Sequence, residues 1–436
     1  MTGLKQFPEY RPSGVDWLGD IPAHWKMVKL KNGFDLHKRP PIKSAGIVTA
    51  FRDGQVTLRS NRRIDGYTEG DKQIGYQTIH PGDLVIHAMD AFAGAIGVSD
   101  SLGQSTPVYS ACTPKSGFNA HFYARALRHI ALTGYISALA KGVRERSTDF
   151  RWADAKELPV PQPPIEEQNN IVSFLDRETG QIDDLIAKQD RLAALLTEKR
   201  QAIITHAVTK GLDPTEPTKP SGIPWLGEIG RTFEPIQLGR LTRKVADGPH
   251  FSPQYVDDGG VMFLSARNIR VDSWSLTDAK FISESDYEEF SKRIVPEKGD
   301  VLYTKGGTTG IARVVDLDQK FQVWVHVAVL KVRRDLADPH YVAYALNSHG
   351  GYDQSQLHTR GATNQDLGLT RMIRIWVALP DLVQQKRIVR DLDSRTNKID
   401  KLIEKAISTI VLLRERRSAL ISAAVTGKID VRERAA

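Results

Sequence analysis

A segment of about fifty residues occurs twice in this chain. PPIEEQNNIVSFLDRETGQIDDLIAKQDRLAALLTEKRQAIITHAVTKGLD runs from Pro163 to Asp213, and PDLVQQKRIVRDLDSRTNKIDKLIEKAISTIVLLRERRSALISAAVTGKID runs from Pro380 to Asp430. Ile182 aligns with Ile399, an offset (399 − 182) of about 217 that holds without a gap. A shorter echo precedes each copy: SGVDWLGDI from Ser13 and SGIPWLGEI from Ser221. The chain is therefore one unit duplicated in tandem, a variable globular stretch followed by a shared helical one. Such a duplication can fold into a pseudo-two-fold monomer, which suits a two-fold object such as duplex DNA.

Helix punctuation brackets both shared segments. Pro163 and Pro164 precede Glu166 and Glu167, placing proline and acids in the first turn, and Gly211 and Gly427 close the two copies. Between them apolar residues recur at heptad spacing. Leu175, Ile182, Leu196 and Ile203 form one seam, interrupted by Gln189, with Leu185 and Leu192 at an offset of three. Leu392, Ile399, Ala406, Leu413 and Leu420 hold the matching places in the second copy, with Leu402 beside them. A narrow seam of this period calls for a partner helix, and the other copy, antiparallel, is the natural one. Gly180 suggests a bend. Some 45 residues at 1.5 Å each would make a rod of roughly 65 Å, against about 34 Å for a turn of B-DNA.

The stretches before the helices read as mixed α+β, with short strands between Gly, Pro and Asp loops and helices expected after Asn119 and after Asp338-Pro339. Gly82-Asp83 and Gly299-Asp300 introduce equivalent strands, so the two cores share a fold while their loops differ. The expected organisation is a first globular domain over 1–160, a helical spacer over 161–213, a second domain over 214–378 and a second spacer over 379–436.

A net charge of +8 and a pI near 9.3 favour a polyanionic partner. The loops carry the side chains that could meet it. Arg52, Arg59, Asn61, Arg62 and Arg63 form one group in the first domain, and Lys141, Arg144, Arg146 and Arg151 a second. In the second domain His250, Arg267, Asn268, Arg270, Lys305, Arg360, Asn364 and Gln365 stand among Gly, Ser and Thr. Arginine pairs bidentately with guanine and Asn or Gln with adenine, while Lys, Ser and Thr favour phosphate. Each residue alone reads as a solvated side chain. As sets in both domains they favour DNA contact.

Here the residues resemble a known family, the specificity subunits of type I restriction–modification enzymes. The likeness rests on YRPSGVDWLGDIPAHW with its echo, on the PPIEEQ-x2-IV-x2-LD-x5-ID-x-LI segment and its repeat, and on the tails HAVTKGLD and AAVTGKID. RDGQVTLRSNRR with GDLVIHAMDAFAGAIGV resembles one class of target-recognition domain, and DGPHFSPQY with FLSARNI another. The resemblance implies two target-recognition domains, each reading half of a split, asymmetric site in double-stranded DNA. It further implies docking of two methyltransferase (modification) subunits and, through them, of restriction–translocase subunits. The second helical start has Val383-Gln384-Gln385 where the first has Glu166-Glu167-Gln168, a departure expected to touch capping alone.

Chemistry of its own is not expected of this chain. It has no (N/D)-P-P-(Y/F) tetrapeptide, no phosphate loop and no glycine-rich loop for S-adenosylmethionine, and Phe92 to Gly97 reads as a turn. Twelve histidines without an H-x3-H pair and a single cysteine, Cys112, offer no zinc site and no internal disulfide. No catalytic residue, cofactor or metal is assigned to it; S-adenosylmethionine, ATP and Mg are expected on partners. One cysteine, no signal-like start and no long apolar run point to a cytoplasmic protein away from membranes. The rivals are a self-sufficient nuclease–methyltransferase, a subunit of a modification-only complex, and a coiled-coil adaptor without a DNA role.

Overall fold

The computed structural model describes residues 5–42, 44–62, 74–139, 149–257, 259–361 and 366–432. The chain divides into two compact units, residues 1–189 with 408–436 and residues 190–407. Each unit holds one globular domain together with a portion of each shared helix.

In the first unit an antiparallel sheet has the order β1 (Phe34–His37), β4 (Tyr109–Pro114), β2 (Leu84–His87), β3 (Ile96–Val98). Side chains alternate across a strand, and the sequence uses both faces. Leu84, Ile86 and Cys112 pack with helix α1 (Ala120–Leu132) in one core, while Val85, Ala111 and Tyr109 join Val48, Val56 and Ile79 in another. Burial on both faces explains the unbroken apolar run LVI. Asn119 starts α1 by accepting the amides of His121 (2.8 Å) and Phe122 (3.3 Å). A Cβ on Gly97 would lie 2.0 Å from the Gly54 carbonyl oxygen, so the loop over β3 requires glycine there.

The second unit repeats this sheet in the same order: β5 (Thr242–Asp247), β8 (Val327–Val332), β6 (Val301–Thr304), β7 (Ala312–Val314). Val301 and Tyr303 pack with helix α3 (Pro339–Asn347), and Leu302 faces the other way with Val327 and Val329. The layer covering that far face is where the domains part. The first has short two-stranded pieces, Val48–Ala50 with Val56–Leu58 and Gln77–Ile79 with Gly103–Ser105. The second has a four-stranded mixed sheet containing Val261–Leu264 and Phe321–Val323.

The shared segments form α2 (Ile165–Lys210) and α4 (Leu382–Val425), and α2 runs unbroken through Gly180. Within the first unit Leu175 and Ile182 of α2 share a core with Leu413 and Leu420 of α4. Within the second, Ile203 and Ile204 of α2 share one with Ile388 and Leu392 of α4. In each unit the beginning of one helix therefore meets the end of the other, which makes the packing antiparallel. The seven-residue seam holds, with Leu175, Ile182, Leu392, Ile399, Ala406 and Leu420 buried and Leu196, Ile203 and Leu413 partly so. Its flank does not. Leu185 (45 % exposed), Leu192 (44 %) and Leu402 (51 %) face outward, and the second row falls at an offset of four, on Thr179, Ile186, Ala193 and Arg200 and on Thr396, Ile403, Ile410 and Arg417. Steps of four and three alternate along both helices, the period that keeps a seam facing its partner.

The same polar joint fixes each helix to its domain. Gln168 is fully buried, donates to the carbonyls of Gly117 (3.0 Å) and Pro163 (2.8 Å) and accepts the amide of Asn119 (2.8 Å). Gln385 donates to Leu336 (3.1 Å) and Pro380 (2.8 Å) and accepts from Asp338 (2.8 Å). The hydroxyls of Tyr123 and Tyr341 donate to the carbonyls of Pro161 (3.0 Å) and Ala378 (2.7 Å).

The Glu167-to-Gln384 departure reaches further than capping. Glu167 is buried and accepts from Trp25 Nε1 (2.8 Å), with His24 Nε2 at 2.8 Å. In the second unit Phe233 follows the echo motif at the place of Trp25 and has no N–H to give, and Gln384 accepts instead from the Thr232 hydroxyl (3.4 Å).

Candidate nucleic-acid interface

In the first domain the turn between Val48–Ala50 and Val56–Leu58 presents arginines held against their own hairpin. Arg62 pairs with Asp53 (2.6 Å) and lies 4.2 Å over the Phe51 ring. Arg52 pairs with Asp90 (2.7 Å). Arg59 donates to Thr49 Oγ1 (3.3 Å), and Asn61 donates to Thr57 Oγ1 (2.8 Å). A residue not singled out from sequence supports this turn: Arg128 of α1 donates to the carbonyls of Asp53 and Arg52. Its only sequence signal is a second arginine, after Arg125, on a helix that is mostly apolar. These arginines form a preordered cationic edge, since side chains already fixed lose less freedom when a phosphate or base arrives. Arg151 stands apart, paired with Asp149 (2.7 Å) just before the short helix Trp152–Ala155.

In the second domain two of the expected readers are used up by the fold. Asn268 is buried, accepts from the Ser265 amide and hydroxyl (both 2.8 Å) and donates to the Ser275 carbonyl (2.8 Å). With its amide committed on both sides it is a cap, not a base reader. Lys305 is buried between Asp366 (2.9 Å) and Asp247 (3.3 Å). Removing it from those carboxylates would leave buried charge uncompensated, so it belongs to the interior.

Asp247 also holds Arg293 and has His250 Nε2 at 3.4 Å. Next to it, a Cβ on Gly248 would stand 1.8 Å from the Val323 carbonyl oxygen. The DGPHF loop is thus pinned at its root and carries His250 and Phe251 (60 % exposed) outward. Arg267, Arg270 and Arg360 are exposed. Burial first, then Arg374, Arg371 and Arg360, holds His358 below the ordinary histidine range, the mark of a locally positive field. Arg63, Lys141, Arg144, Arg146, Asn364 and Gln365 lie outside the described residues.

Comparison with known proteins places this architecture. The family model for the type I restriction modification DNA specificity domain matches residues 246–410. The chain is 22 % identical to the type I restriction enzyme EcoKI specificity subunit of Escherichia coli, over 96 % of this chain and 92 % of that one. It is 23 % identical to the MjaVIII specificity subunit of Methanocaldococcus jannaschii over 64 % of this chain, and there it spans 63 % of the relative's length. A chain solved for complex assembly and conformational transition of the type I R-M system superposes with a TM-score of 0.68, at 17 % identity over 93 % of this chain and 98 % of that one. Fold and loops together define a class, tandem recognition domains carried on paired helices. Within it, residues 246–410 match the type I restriction modification DNA specificity domain, and over most of its length the chain is similar to specificity subunits of type I restriction–modification systems.

Proposed function

We propose that this subunit reads a split, asymmetric DNA site, one half with each domain, and directs adenine methylation or ATP-dependent cleavage by partner subunits. The observation that carries the reading is one sheet built twice under unlike second layers. Identical scaffolds with different reading surfaces are what two different half-sites need. Arg52, Arg59, Asn61, Arg62 and Arg151 in the first domain, and His250, Arg267, Arg270 and Arg360 in the second, supply the contacts to bases and phosphates. The helices set the number of unread base pairs.

Two methyltransferase subunits dock on this chain and restriction–translocase subunits join through them; S-adenosylmethionine, ATP and Mg belong to those partners, in the cytoplasm. Support for docking comes from Leu185, Leu192, Leu402 and Leu412, apolar side chains that the helix seam leaves exposed. Among the described residues no helix is long and apolar enough to cross a membrane.

Mapping methylated adenines genome-wide tests the reading. Exchange of the first domain should change one half of the methylated motif and leave the other half intact. A motif that changes in both halves, or in neither while methylation persists, refutes it.

A further inference from the structure

The first domain contains a cleft of about 710 Å3 whose lining, among the described residues, includes Lys38, Arg39, Tyr76, Arg151, Trp152 and Lys156 and no carboxylate. Two of these cations are spoken for. Arg39 bonds Asp83 (3.1 Å from Nη2) and Thr113 (2.9 Å), and Arg151 pairs with Asp149. Lys38 and Lys156 have no ion-pair partner among the described residues.

The duplication gives Lys38 a counterpart in the second domain. Leu84 pairs with Cys112, and His37 with Ala111; Val301 pairs with Leu330, and Ala246 with Val329. These registers align Lys38 with Asp247, and Ala88 with Lys305. In the second domain the acid Asp247 is neutralised from within by Lys305, 3.3 Å away. In the first domain the sign is reversed and the answering position is alanine. Among the described residues the fold thus supplies no counter-charge for the exposed Lys38, which leaves it free to meet an anion from outside. The walls narrow the choice of anion, because Trp152 and Tyr76, both half-buried, line the same cleft and offer flat apolar surface.

We propose that this cleft seats a phosphodiester of the bound duplex, with Lys38 and Lys156 on the phosphate oxygens and Trp152 and Tyr76 against the adjoining sugar. The proposal rests on the DNA-reading function and adds a backbone anchor to it. The test is binding of the full-length protein to a labelled duplex of arbitrary sequence as salt rises from about 50 to 200 mM. Lys38→Ala/Lys156→Ala should flatten the plot of log affinity against log salt by about 0.9 for each phosphate left without its lysine. Lys398→Ala/Lys401→Ala, which removes the same charge from exposed helix positions, should keep the wild-type slope.

An unchanged slope in the first variant, or an equal flattening in the second, overturns the cleft while leaving DNA reading in place. So does stabilisation of the wild type by free deoxyadenylate with no effect of the first variant on duplex binding. A wild type that fails to bind duplex at all overturns both.

Discussion

Arg417 Nε lies 2.9 Å from Asp183 Oδ1, joining the end of α4 to the beginning of α2, and the pair recurs with the helices exchanged: Arg200 Nε lies 2.8 Å from Asp400 Oδ1. Arginine and aspartate stand one repeat apart in each case (417 − 200 and 400 − 183, both 217). One interaction, duplicated with the gene segment, now serves each unit. The two copies differ in geometry and burial: Arg200 Nε donates a hydrogen bond to Asp400, whereas Arg417 Nε makes only an ion-pair contact with Asp183. Arg200 and Asp400 are 16 % and 26 % exposed, Arg417 and Asp183 37 % and 52 %. Less solvent means less screening, so Asp400→Ala should cost about 1–2 kcal/mol and Asp183→Ala less than about 1 kcal/mol. Urea unfolding of the two variants checks the order, and an equal loss would show that burial does not govern the pair.

The helix seam makes a sharper contrast. Ile182 is 5 % exposed and Leu185 is 45 % exposed, one turn apart on α2. Ile182→Ala should destabilise by about 3 kcal/mol through weakened packing and the cavity left behind. Leu185→Ala should cost less than about 1 kcal/mol and act instead on retention of the proposed methyltransferase partner, read by gel filtration of the mixed subunits.

The buried glutamines are expected to be indispensable for folding. Gln168→Ala would strand two carbonyls and one amide without partners, at about 2–4 kcal/mol in total. Gln168→Glu should fare little better, because an acceptor-only side chain cannot donate to Gly117 and Pro163. Thermal melts that leave either variant within about 0.5 kcal/mol of wild type would contradict the geometry.

Acidification should destabilise the free subunit before any carboxylate titrates. Burial is the first cause lowering the pKa of His87, His121, His129 and His358. The folded chain then binds fewer protons than the unfolded one, so stability rises with pH through this range. It is fully present above the unfolded value of about 6.5 and is lost as pH falls below it. Glu297 and Asp430, held low first by hydrogen bonds from Lys331 and Arg432, lose their contribution only at more acidic pH. The melting temperature should fall between about pH 7.5 and 5.5, and a flat profile there would argue against the histidine contribution.

Much of this was legible in the sequence, for physical reasons. A duplicated helix repeats its register, so Ile182 and Ile399 marked the seam before any coordinates. The flank was not legible, because Leu185-Ile186 and Leu402-Ile403 are apolar doublets, and only the antiparallel partner decides which member turns inward. Loop composition likewise failed to separate Asn268 and Lys305, which the interior consumes, from Arg267 and Arg270, which it does not. The distinction lies in contacts with Ser265, Asp247 and Asp366, residues that no spacing rule connects. Lys38 escaped notice because its meaning comes from Asp247, its opposite number in the other copy.

The joint made by Gln168 and Gln385 grips its domain only through main-chain atoms, a carbonyl and an amide at the start of a helix. Such a grip is blind to the side chains of whatever lies between its two ends. Recombination could therefore splice in a foreign cassette with the right stub of helix, provided it also brings partners for Glu167 or Gln384 and apolar side chains for the helix core.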